Sequence, residues 1–211
     1  MNEPPTPFRA LIDNRRYAWI VGGLAAVLAI GFLIYSLTNH HSGAGTPGVP
    51  PGQPLHYFAA PLAASTLNGD ANLSPPCTLA RHDPRALNLC LLAKRGPLVL
   101  DFFVTDSGAC EREVSTMQAL ALQPGTRGAQ YAAVAVNTAH GAAAKAVHAH
   151  RWTIPVAYDA DGGVGGLYGV TACPLLELAY RGGTVAQRLI GEHWLSKAAL
   201  AARVQALLHH G

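Results

Sequence analysis

Between Tyr17 and Gly69 the chain carries no Asp, Glu, Lys or Arg, and this uncharged run opens with 20 mostly apolar residues, 18–37 (AWIVGGLAAVLAIGFLIYSL). A helix rising about 1.5 Å per residue needs about 20 residues to cross a hydrocarbon core roughly 30 Å thick. A core helix of a soluble protein rarely runs so long without a polar face, so 18–37 reads as a transmembrane helix. Tyr17, Trp19 and Tyr35 stand near its ends, where amphipathic rings favour the headgroup level. Arg9, Arg15 and Arg16 precede it, and only His40 and His41 follow closely. That asymmetry places the N-terminus in the cytoplasm and the rest of the chain outside. The run is longer than a signal-peptide core, and no small-x-small cleavage site directly follows, which favours a retained anchor.

The expected organisation is a cytoplasmic segment 1–17, the membrane helix 18–37, a linker 38–54 and one domain, 55–211. The linker TNHHSGAGTPGVPPGQP is rich in Gly and Pro and has no apolar periodicity. Residues 70–211 hold 12 basic and 10 acidic side chains, a near-balance that argues against a nucleic-acid partner.

Within the domain, strand-like and helix-like segments alternate. Residues 98–104 (LVLDFFV) form an apolar run after Gly96-Pro97, as expected of a buried strand. Residues 111–122 have helical spacing at Val114, Met117 and Ala121 and stop at Gln123-Pro124-Gly125. A second strand is expected at 131–136, an Ala-rich helix at 142–151 and a short strand at 154–158. Segments 175–180 and 184–190 flank Arg181-Gly182-Gly183, a hairpin signal. Ser196 has the type and position of a cap for a helix with Leu200, Val204 and Leu207 on one face. The order β-α-β-α-β, hairpin, helix predicts an α/β domain.

The passages QYAAVAVNTAH and HRWTIPVAYDADGGVGGLYGVTACPLLELAYRGG resemble the second core strand and the following region of the thioredoxin superfamily, in particular its membrane-anchored TlpA/ResA-like redoxins. The resemblance covers roughly 55–208. It implies a thioredoxin-like fold, a central mixed sheet flanked by helices, and a cis peptide bond before Pro174 near the active site. The family's Trp-Cys-Gly-Pro-Cys motif falls on Asp106-Ser107-Gly108-Ala109-Cys110. Ser107 therefore stands where the attacking cysteine belongs, and Cys110 keeps the resolving position. Cys173 precedes Pro174, where relatives usually have another residue. Asp101 matches the buried acid that exchanges a proton with the resolving cysteine. The resemblance thus implies Cys110, Cys173 and Asp101 as catalytic residues and Ser107 and Pro174 as substrate contacts. A helix dipole favours a Cys110 thiolate, Arg112 supports it, and Glu111 and Glu113 oppose it. Ser107 also has the type and position of a helix cap; Cys110 also suits an inert core position.

Four cysteines allow three pairings. Cys77 and Cys90 bracket an insertion ahead of the first core strand; a bond there would close a 14-residue loop, worth about 3 kcal/mol in the chain-entropy model. The favoured pairs are 77–90 as a staple and 110–173 at the active site. No close cysteine pair of the zinc type occurs and the histidines lack ligand spacing, so neither a metal nor a cofactor is expected. Three functions fit: thiol–disulfide exchange with protein thiols or disulfides of the cell envelope through Cys110 and Cys173; a non-catalytic binding module; and a one-cysteine peroxidase. The last draws on Ser107-x-x-Cys110, but Phe103 stands where peroxiredoxins carry a Pro, and their Arg would fall at about Pro174.

Overall fold

A computed structural model describes residues 20–31, 47–73 and 82–210. The chain divides into two compact units, Met1–Gly45 and Thr46–Gly211. In the first, residues 20–31 are helical and expose Ile20, Val21, Leu24, Val27, Leu28 and Ile30. Among the described residues no helix is long and apolar enough to cross a membrane; both ends of the expected 18–37 span lie outside them.

The second unit is built on one sheet. Strands β3 (Leu98–Phe103), β4 (Gln130–Val136), β5 (Val156–Asp159), β6 (Leu175–Ala179) and β7 (Val185–Ile190) lie in the order β5-β4-β3-β6-β7. The β3–β4 and β4–β5 pairs are parallel; β3–β6 and β6–β7 are antiparallel. Two short strands, β1 (Ala59–Pro61) and β2 (Ala86–Asn88), pair separately. The helices are α1 (Leu89–Arg95), α2 (Gly108–Ala121), α3 (His140–His150), α4 (Gly163–Leu167) and α5 (Lys197–His209). This is the thioredoxin-like mixed sheet flanked by helices.

Strand side chains alternate between faces, and the two cores follow that alternation. Val99, Phe103, Ala133, Leu176 and Leu178 pack with Val114, Met117, Ala143, Leu200 and Val204, so α2, α3 and α5 cover one face. Leu98, Leu100, Phe102, Val134 and Leu175 pack with Val49, Phe58, Leu92 and Tyr168, so α1, α4 and residues 47–58 cover the other.

Several expectations need correction. The linker was placed at 38–54, but its described part, 47–54, is a strap on the sheet. Val49 is 2% exposed. Gly52 and Leu55 donate to Val185 and Gly183 carbonyls, and Val185 donates to Gln53, extending the sheet beyond β7. Composition misled here because one valine and backbone hydrogen bonds suffice to seat a short segment on an existing sheet edge. Gly48 (φ 85°) comes so near that a Cβ there would overlap Glu177 and Arg188. The insertion ahead of β3 carries β2 and α1, neither expected. Cys90 lies in α1 and is disulfide-bonded; Cys77 is outside the described residues, so the 77–90 pairing stays an expectation. Ser107 and Ser196 occupy N-cap positions, yet neither side chain makes a cap hydrogen bond.

Candidate active site

The site forms where β3 ends and α2 begins. Asp106 takes a left-handed conformation (φ 62°), one that Asp tolerates better than most residues, and turns the chain so that α2 starts at Gly108. Cys110 falls in the first turn of α2 and is 3% exposed. From the far side of the sequence, the peptide bond Cys173–Pro174 is cis and leads into β6. Gly191 N–H donates to the Pro174 carbonyl at 3.2 Å, tying this turn to the end of β7. The two turns meet: Cys110 and Cys173 form a disulfide with S–S 2.07 Å and Cα–Cα 5.7 Å across 63 residues of sequence. Cys173 is half-buried and so more accessible than Cys110.

Ser107 does not use its hydroxyl as a cap; Oγ lies 3.0 Å from Cys110 Sγ and donates to it. The interface between β3 and α2 buries two acids. Asp101 projects from β3 toward the α2 face, as its parity with Val99 and Phe103 requires, and Glu113 projects inward from α2; neither side chain is exposed. Neither oxygen of either carboxyl has a hydrogen-bond partner. Burial pushes the Glu113 carboxyl up to about 7. Burial, and then the charge of Glu113, hold Asp101 well above the usual carboxylate range. The pair therefore keeps protons that exposed carboxyls would have lost.

Glu113 is the residue that sequence reasoning misjudged. Read as a charge opposing a thiolate, it is an interior acid whose carboxyl burial pushes up to about 7. The available signal was its position three residues after Cys110, which puts both on one side of α2 next to Val114 and Met117. Cys110, Cys173, Pro174, Ser107 and Asp101 are brought together here. Cys90 lies in α1, apart from this face. Among the described residues there is no group of three or more His, Cys, Asp or Glu able to hold a metal ion.

Fold, cis Pro174 and a disulfide at the N-terminus of the motif helix together define a protein of thioredoxin-like fold with a cysteine pair at the end of its central strand. Residues 72–188, more than half of the chain, match the AhpC/TSA family, and the chain belongs to that family. No curated protein matches it. Similar solved structures include a protein of Chlorobium tepidum assigned as thiol:disulfide interchange protein DsbE (23% identity, 76% of this chain and 99% of that one, TM-score 0.60). The peroxidoxin BcpB of Mycobacterium tuberculosis is 19% identical over 76% of this chain and 96% of its own, with TM-score 0.57. A secreted M. tuberculosis disulfide oxidoreductase homologous to E. coli DsbE is 19% identical over 71% and 95%, with TM-score 0.54. At these identities the likeness is one of fold.

Proposed function

We propose that the protein is a membrane-anchored, extracytoplasmic thiol–disulfide exchange protein that works through Cys110 and Cys173 on protein thiols or disulfides of the cell envelope. The observation that carries this reading is the bond between Cys110 and Cys173, made beside cis Pro174. In one direction, a substrate thiolate attacks the more accessible Cys173 sulfur, forming a mixed disulfide, and the Cys110–Cys173 bond breaks with its electron pair on Cys110. The Ser107 hydroxyl and the first turn of α2 receive that thiolate, and the Asp101–Glu113 pair delivers its proton. A second substrate thiol, losing its proton, then attacks the mixed disulfide. The substrate leaves oxidised, and Cys110 and Cys173 are left as thiols; the reverse sequence reduces a substrate disulfide. The uncharged 18–37 run behind Arg9, Arg15 and Arg16 supports the anchor and its orientation.

Peptide mapping of non-reduced protein, with exchange kinetics on a model dithiol, tests the reading. Cys110→Ser and Cys173→Ser should each abolish turnover. Free thiols at both positions under oxidising conditions would instead favour the non-catalytic binding module, and wild-type exchange in either variant would assign the chemistry to other cysteines. Labelling of reporter cysteines in intact cells tests the anchor: a reporter after residue 37 should react and one before residue 17 should be protected.

A second reading is peroxide reduction at Cys110. The contact between Ser107 Oγ and Cys110 Sγ favours it, as does membership of a family matched by residues 72–188. The burial of Cys110 and the residues Phe103 and Pro174 weigh against it. Peroxide consumption by the reduced protein, lost on Cys110→Ser, would move this reading ahead of the first.

A further inference from the structure

The connection between α3 and β5 grips the motif helix along one side. Glu111, Ser115 and Gln118 are spaced four and three residues apart and share a face of α2. All three bond to residues 150–154. Gln118 Oε1 accepts the N–H groups of Thr153 (2.6 Å) and Ile154 (3.0 Å). Trp152 Nε1–H donates to Ser115 Oγ at 3.0 Å, and its ring meets Phe103, the last residue of β3, edge-on at 5.6 Å. At the motif end of this seam, Glu111 Oε1 accepts the Asp106 N–H at 3.0 Å, and Oε2 lies 3.1 Å from His150 Nε2. His150 is stacked on Trp152, with ring centroids 4.6 Å apart and planes within 9°.

Ser115 and Gln118 fasten the helix without charge. Glu111 differs. It directly follows Cys110, so its carboxylate sets a negative charge in the turn whose N–H groups would otherwise favour a thiolate. The same carboxylate holds the left-handed Asp106 from which the turn starts. The charged or titratable groups in the elements that meet here are Asp106, Glu111, Arg112 and Glu113 on the motif side, Asp101 of β3, and His140, Lys145, His148, His150 and Arg151 on the α3 side; Glu192 and His193, with Lys197, Arg203 and His209 of α5, stand on the segments that also pack against α2. Of these, Glu111 and His150 are paired.

We propose that His150 is a positioning residue for the Cys110 sulfur: its bond to Glu111 offsets the charge beside Cys110 and keeps Glu111 on the Asp106 N–H. For its consequence in exchange this role rests on the redox reading of the Cys110–Cys173 pair, but the effect on the sulfur can be measured without turnover. His150, with the hydrogen on Nε2, draws the Glu111 charge away from the helix end, and the stack on Trp152 fixes the imidazole for that task. Thiolate formation at Cys110 then senses a residue 40 positions further along the chain.

The test uses the reduced full-length protein carrying Cys173→Ser, so that Cys110 titrates as the single site thiol. Its ultraviolet thiolate absorbance is followed against pH, with the Cys110→Ser, Cys173→Ser protein as the blank. His150→Phe keeps a ring on Trp152 and loses the bond; Glu111→Gln keeps an acceptor for Asp106 and loses the charge. His150→Phe should move half-titration upward and Glu111→Gln downward, each by about half a pH unit. His150→Phe should add nothing on the Glu111→Gln background. A seam with only a mechanical role would move both variants in the same direction. That outcome, or no shift in His150→Phe, overturns the proposal. Opposite shifts in a protein that exchanges no disulfides would uphold the positioning role and overturn the exchange reading alone.

Discussion

Both faces of the central sheet bury carboxyl groups, and the two faces treat them differently. On the α2 face, Asp101 and Glu113 lie together with no partner for any of their four oxygens. On the opposite face, Glu177 of β6 is equally buried, but Oε1 accepts the Val49 N–H and Arg188 stands across from it on β7. Burial pushes Glu177 up to about 8, while the Val49 N–H and then Arg188 oppose the rise. An unpartnered buried carboxyl oxygen is costly; Asp101 and Glu113 leave all four of theirs so, whereas Glu177 leaves only Oε2 and Asp159 only Oδ1. Glu177 instead clasps the strap at the start of the domain. On the proposed reading the acids of one face serve proton transfer, whereas on the other Glu177 serves attachment.

The largest expected effects separate the faces by rate. Glu113→Gln and Asp101→Asn should each slow exchange by about 100-fold or more, the usual scale for losing an acid–base group, while Glu177→Gln leaves the rate unchanged. Stopped-flow exchange with a model dithiol measures this. An equal loss in Glu177→Gln would break the comparison.

Stability against pH comes next. A carboxyl with a raised folded-state value favours the folded chain most below the unfolded value, and that advantage is lost as pH rises through the folded one. Glu113 should thus lose its contribution between about 4.5 and about 7, and Glu177 between about 4.5 and about 8. The upper bounds are about 3 kcal/mol for Glu113 and about 5 kcal/mol for Glu177. Denaturant melts across that range should show a decline that Glu113→Gln makes shallower below about 7 and that Glu177→Gln brings to an end near 7 instead of near 8. An unchanged decline in either variant would mean that its carboxyl is ionised inside the fold.

A smaller effect is expected at the strap. Val49→Ala removes two buried methyl groups and should cost about 1–2 kcal/mol, with exchange kinetics intact. Denaturant midpoints read the loss; a slowed exchange would tie the strap to the site. Smallest of all, Ser107→Ala should change stability by less than about 0.5 kcal/mol, below the usual cap value, because its hydroxyl faces Cys110 and not the helix N–H groups. A loss above about 1 kcal/mol would restore the cap assignment.

The elements that were legible in advance are those whose evidence is local. β3, β4 and the hairpin β6–β7 announce themselves by short apolar runs between turn residues, and α2 and α5 by helical spacing. The resemblance in 128–183 supplied the fold class and the expectation of a cis bond at Pro174. α1 and the β1–β2 pair were missed because three-residue strands and a seven-residue helix have too little periodicity of their own. The strap was misread because its seat is a sheet edge contributed by residues more than 100 positions away.

By itself, the sequence determined the strands of the central sheet and the helices α2, α3 and α5, that an uncharged apolar run precedes the domain, and that a cysteine stands at each end of a candidate pair. Only the tertiary structure decided that Glu113 is an interior acid beside Asp101, that Ser107 turns to sulfur, and that His150 reaches Glu111. Periodicity says which side of a helix is apolar, and Glu113 departs from it. What lies opposite that side, and whether it leaves a carboxyl dry and unpartnered, depends on a sheet assembled from strands far apart in the chain.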